Sequence, residues 1–206
     1  MGKILRMMGL SFAILLLFII MGYFLIPPNV YETQMPEFEN VEAPLVKNKN
    51  LTLQDGEVYR YMYTTENQSG NVTFTVQKLK KCTYISTTDI SGLGACLDNE
   101  GNDYSGSNVS LVDGNIFMFK PWMLALDDGW EWNASVYAVT NSTKNYVFDI
   151  TYKVIRTDHI NGRPAYFVEI SMGGITFYEW VDKEKRIVVR ETGYGATIEL
   201  IEGLEP

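Results

Sequence analysis

Beyond residue 50 the apolar residues recur with period two, and this alternation restricts the chain to a β fold. Tyr59, Tyr61 and Tyr63 share one face of the run from Glu57 to Thr65, and Val72, Phe74 and Val76 share one face of the run from Val72 to Gln77. The same spacing links Trp130, Trp132, Ala134, Val136 and Ala138, then Tyr146, Phe148, Ile150, Tyr152 and Val154. Successive side chains of a strand point to opposite faces, so each run reads as a strand with one face buried. Only Pro121 to Leu126 (PWMLAL) suggests a helical turn, since proline is favoured at the first helical position.

The breaks between runs carry hairpin chemistry. Asp113-Gly114 divides Leu111-Val112 from Ile116-Phe117, and Asn161-Gly162 precedes the run from Tyr166 to Met172. Gly173-Gly174, the charged segment from Asp182 to Lys185 and Gly193-Tyr194-Gly195 separate the later runs Ile175 to Val181, Arg186 to Glu191 and Ala196 to Ile201. Connections this short pair neighbours antiparallel, which predicts a meander of about five strands inside a larger sheet. The expected fold is all-β: a curved antiparallel sheet, half-barrel or sandwich-like, displayed on one N-terminal transmembrane helix.

That helix is expected at Met7 to Ile26, a charge-free run long enough to cross one hydrocarbon core at about 1.5 Å per residue. Lys3 and Arg6 stand before it, and all 25 acidic residues of the chain follow it. The positive-inside bias therefore predicts a cytoplasmic N-terminus, a single pass through the lipid bilayer by residues 7–26 and an extracytoplasmic remainder. A cleaved secretory signal is the alternative; against it, the run is longer than the usual apolar stretch of about 7 to 15 residues and no Ala-x-Ala-like site follows. The anchor, residues 1–26, ends at Pro27-Pro28. Residues 27–50, with four prolines and no periodicity, read as an extended juxtamembrane linker, and residues 51–206 as the external β domain.

Composition narrows the partners. With 15 basic against 25 acidic residues, the part after residue 26 carries a formal charge of -10, which disfavours nucleic acid. One histidine and two cysteines leave little for a zinc cluster or histidine-based catalysis, and no cofactor is expected. There is no phosphate-binding glycine loop, Gly-x-Ser-x-Gly elbow or His-Glu-x-x-His helix, so the chain is not expected to be an enzyme.

Several local motifs remain. Asn-x-Ser/Thr occurs at Asn50, Asn67, Asn71, Asn108, Asn133 and Asn141, against about two expected by chance, which reads as an N-glycosylated surface. The bland alternative is a polar β surface whose acceptors go unused. Asn133 is the strictest case, because it lies within a strand opposite Trp130 and Trp132 in phase. Cys82 and Cys96, both beyond the anchor, are expected to form a structural disulfide rather than a catalytic thiol. Asp98, Glu100 and Asp103 surround Gly101 with hard oxygen ligands and form a weak Ca²⁺ candidate, although an ordinary solvated loop explains them better. His159 reads as an exposed turn residue and Lys78, Lys80 and Lys81 as a solvated strand end.

The stretches Tyr152-Lys153-Val154, Ile160 to Ile170 (INGRPAYFVEI) and Trp180 to Arg190 (WVDKEKRIVVR) resemble the later strands of the LolA-like lipoprotein-carrier and sigma-factor-regulator half-barrels. In that superfamily a strand ending in a Trp-x-Asp turn leads into a basic, hydrophobic strand. The resemblance implies a curved antiparallel sheet whose apolar concave face often covers a lipid acyl chain. This chain differs in its anchor, its sequons and the lack of a long helix to plug the concavity, and no functional residue is carried over.

Three functions follow as expectations. The first is a membrane-tethered, N-glycosylated cell-envelope interaction or binding module with an envelope protein as partner. The second is a binder of a lipid or other hydrophobic ligand, using the faces at Trp130, Trp132, Phe148, Ile150, Tyr166 and Val168. The third is an envelope hydrolase acting through a carboxylate pair. A filled interior, an open apolar cavity, or a cleft with two carboxylates about 5 to 9 Å apart would separate them.

Overall fold

The computed structural model describes residues 37–42, 45–87, 89, 94–102, 117–140 and 143–204. Among them eleven strands form one sheet: β1 (Glu37–Glu42), β2 (Val58–Thr65), β3 (Ser69–Lys78), β4 (Thr83–Thr87), β5 (Gly94–Leu97), β6 (Glu131–Thr140), β7 (Thr143–Ile160), β8 (Arg163–Met172), β9 (Ile175–Asp182), β10 (Val188–Gly193) and β11 (Ala196–Glu202). Their order is β1-β6-β7-β8-β9-β10-β11-β2-β3-β4-β5. From β6 to β11 the chain is an antiparallel meander, and β11 then pairs antiparallel with β2 to join it to the β2–β5 meander. The all-β expectation holds.

Turn chemistry accounts for the meander. Asn161 (φ 51°) and Gly162 (φ 79°) close the two-residue connection between Ile160 and Arg163, and Tyr194 (φ 53°) and Gly195 (φ 70°) close that between Gly193 and Ala196. Two consecutive positive φ angles match the twist of the flanking strands. The Asp113-Gly114 turn lies outside the described residues.

Period-two burial appears as the sequence predicts. Tyr59 and Tyr61 of β2, Val72, Phe74 and Val76 of β3, Ile150, Tyr152 and Val154 of β7, and Val168 and Ile170 of β8 are all buried on one face, hereafter the inner face. The segment from Phe117 to Leu126 lies against it and contains the 3₁₀ turn Pro121–Ala125, every residue of which is buried. Phe117 packs edge-on against Tyr61 and Phe74, with ring centroids 5.0 Å away in both cases, while Trp122 lies 5.0 Å from Tyr152 and stacks on Trp130. Phe74 of β3 and Tyr152 of β7, on strands six spacings apart, thus pack against one and the same segment.

Within the stretch read as a linker, residues 37–42 form β1 at the edge beside β6, and Asn48 and Lys49 both donate backbone N–H bonds to the Leu124 carbonyl. The Asn48 and Lys49 N–H groups thus satisfy a carbonyl of the inner segment. No helix among the described residues is long and apolar enough to cross a membrane; residues 7–26 lie outside them.

Candidate functional site

The polar groups on the inner face converge at one place. Glu179 of β9 follows the phase of Phe177 and Val181, so its side chain enters the apolar layer, where it is fully buried. Glu191 of β10 is its direct cross-strand partner, and Val168 and Ile198 flank the two in the same row. Opposite positions on antiparallel strands hold their Cα atoms about 4.5 to 5.5 Å apart, close enough for two carboxylates to repel. Lys120, just before the 3₁₀ turn, comes from the other side: its Nζ lies 2.7 Å from Glu179 Oε1.

This arrangement shifts two of the three groups. The Lys120 ammonium is disfavoured by burial, but Glu179 and Glu191 overcome that and hold its pKa above the ordinary lysine range. Burial first, and then the neighbouring Glu179 charge, push the Glu191 carboxyl up to about 7 against the pull of Lys120. Glu179 Oε2 has no hydrogen-bond partner although it is buried. The cluster thus sets the Lys120–Glu179 ion pair beside a carboxyl whose ionisation is disfavoured. The inner segment covers Glu179.

Arg186 fastens the same segment. Its guanidinium is buried, donates to the carbonyls of Leu126 (2.9 Å) and Met123 (3.3 Å) at the end of the 3₁₀ turn, and lies 4.9 Å from the Tyr166 ring centroid. The turn that presents it is organised by Asp182, whose Oδ1 accepts from the backbone N–H groups of Glu184 and Lys185 while Arg163 bridges its carboxylate. The aspartate of the Trp-x-Asp pattern is therefore a turn anchor.

The residues singled out in the sequence lie elsewhere. Cys82 and Cys96 are joined in a disulfide with a Cα separation of 5.5 Å, linking the entry to β4 with the edge strand β5. Asn50, Asn67, Asn71 and Asn133 are exposed, Asn67 at the tip of the β2–β3 hairpin and Asn133 on the face opposite Trp132; Asn108 and Asn141 lie outside the described residues. Asp98 caps its own loop, its Oδ1 accepting from the N–H groups of Glu100 (2.8 Å) and Asn102 (2.9 Å). Lys47 brings an ammonium to the same loop, donating to the Glu100 carbonyl and Asn102 Oδ1, where a bound cation would compete with it. No group of three metal-ligating side chains occurs among the described residues, and Asp103 lies outside them. His159 and the lysines 78, 80 and 81 are exposed. Trp132, Ile150, Tyr166 and Val168 are packed in the core, with Trp130 and Phe148 against it.

Sequence reasoning passed over Lys120, Glu179 and Glu191. The signal was present for Glu179, a carboxylate in phase with Phe177 and Val181. Lys120 carries no such mark, since its partner is 59 residues away.

No family model and no curated protein matches the chain. Among solved structures, the hypothetical lipoprotein YmcC from Escherichia coli K12 is similar over 74% of this chain and 91% of its own, at 10% identity and a TM-score of 0.33. PNGF-II, in its C2 and P21 crystal forms, is similar over 72% of this chain at 12% identity and a TM-score of 0.31. The chain spans 28% of PNGF-II in the first form and 29% in the second.

Proposed function

We propose that this chain is a membrane-tethered, N-glycosylated interaction module whose half-barrel domain is displayed outside the cell and meets an envelope protein through its outer surface. The observation that carries this reading is the occupied inner face: Phe117 packs on β2 and β3, Trp122 on β7, and the Met118 carbonyl accepts from Val188 of β10, in the place where a carried lipid would otherwise lie. The charge-free run at residues 7–26 supports the tether, and the exposure of Asn50, Asn67, Asn71 and Asn133 supports glycan acceptance, which needs asparagines facing solvent. The disulfide suits an oxidising compartment.

The test is native mass spectrometry of the full-length chain expressed in a glycosylating host, with protease applied to the intact cells beforehand. The expected result is a glycan-bearing chain without bound lipid, whose domain is removed by external protease. Stoichiometric co-purified lipid would replace this reading with a carrier, and a protease-protected domain would refute the topology.

A further inference from the structure

We infer that Lys120, Glu179 and Glu191 form a pH-sensitive latch that fastens the inner segment, residues 117–126, to the sheet and loosens it as the solution becomes alkaline. The inference does not depend on the partner or the topology proposed above.

Three observations place the latch. Lys120 is the residue through which the inner segment forms an ion pair with the sheet, at 2.7 Å from Glu179 Oε1. Glu179 and Glu191 stand directly opposite one another on β9 and β10, Glu179 fully buried and Glu191 half-buried, so that any charge gained by Glu191 faces a carboxylate held out of water. Glu179 Oε2, buried without a partner, leaves the negative charge only partly compensated.

Among the described residues the one cation acting on Glu191 is Lys120, which already pairs with Glu179. From the inner segment comes Lys120, from β9 Glu179, and from β7 Tyr152, which acts on Lys120. On the β11 side its neighbour is Ile198, and beyond that the Tyr63 hydroxyl of β2 lies over Gly70 of β3. With Glu191 protonated, one ammonium balances one carboxylate. Once it ionises, two carboxylates compete for one ammonium inside an apolar layer, and withdrawal of the segment, which admits water, becomes the relieving motion.

The sign follows from linkage. The Glu191 carboxyl titrates at about 7 in the folded state and ordinarily at 4.5, so the docked form binds more protons between those values. Docking is therefore strongest below pH 4.5 and weakens as the pH rises through about 7.

Amide hydrogen exchange on the full-length chain in detergent tests this, corrected for intrinsic exchange rates and compared at about pH 5.5 and about pH 8. The expected result is that protection of residues 117–126 falls by about ten-fold or more at the higher pH while β8 stays protected, and that Glu191→Gln abolishes the difference. Equal protection at both values, the same pH dependence in Glu191→Gln, or equal loss in β8 would overturn the latch. Should the variant fail to fold, side-chain carboxyl NMR of the unaltered protein decides. A Glu191 midpoint near 7 supports the latch, and a midpoint at the ordinary value of 4.5 overturns it.

Discussion

At the scale of single residues, Arg186 shows how a buried cation is tolerated. Two carbonyl acceptors and the face of Tyr166 compensate its desolvation, and burial still holds its pKa below the ordinary arginine range. Removing the guanidinium leaves the Met123 and Leu126 carbonyls without that donor at the end of the 3₁₀ turn. We expect Arg186→Met to destabilise the domain by about 3 kcal/mol, measured by urea denaturation. Arg186→Lys should recover only part of this, because a single ammonium does not reproduce a planar group aimed at two carbonyls. Gly193 is a second sensitive position: a Cβ there would lie 2.6 Å from Phe177 Cβ, which is fixed to the β9 backbone. Gly193→Val is expected to cost about 1 to 3 kcal/mol through strain at this contact, with a lowered thermal midpoint as the readout.

Individual elements differ in how much their sequences reveal. The β7–β8 hairpin was legible in its turn and in the faces that bury Tyr152 and Val168, because Asn161-Gly162 sets the turn and alternation sets the faces, but the bulge between Val154 and Arg156 leaves no mark in the alternation. Asn133 faces solvent because its strand phase is fixed by Trp132 and Ala134, both buried. β1 was not legible, since its sequence, EFENVE, lies among prolines and acids and gains its partner only from β6, far along the chain. The acid–lysine cluster was hidden for the same reason: period two places Glu179 inside, but only the return of residues 117–126 across the sheet explains why a charge survives there. The edge strand β5 has just four residues and depends on a covalent link to β4. Reducing Cys82–Cys96 is expected to cost about 3 kcal/mol, from the entropy regained by a loop of about 15 residues. Faster amide exchange in β4 and β5 than in β8 after reduction is the check.

Over the whole molecule the buried and exposed carboxylates oppose one another in their response to pH, and their balance locates the stability maximum. Glu57 is disfavoured as an anion by its partial burial, but the Lys185 ammonium, the Gln54 N–H and the Tyr59 hydroxyl together hold its pKa below the usual 4.5. Its contribution is present above pH 4.5 and is lost as the pH falls through the depressed value. Asp158, held low by Arg156 and the Trp180 indole N–H, acts in the same direction from the outer face. Glu191 acts in the opposite direction, its contribution being complete below 4.5 and lost as the pH rises through about 7. The formal charge of -8 adds self-repulsion that grows on the alkaline side. The thermal midpoint of the native chain is therefore expected to peak at about pH 5 rather than near neutrality. Replacing Glu191 with Gln should flatten the alkaline limb and leave the acid limb in place, because Glu57 and Asp158 are untouched. A midpoint that still rises between about pH 5 and about pH 7 would show that the acidic surface groups, and not the inner cluster, govern the titration of the fold.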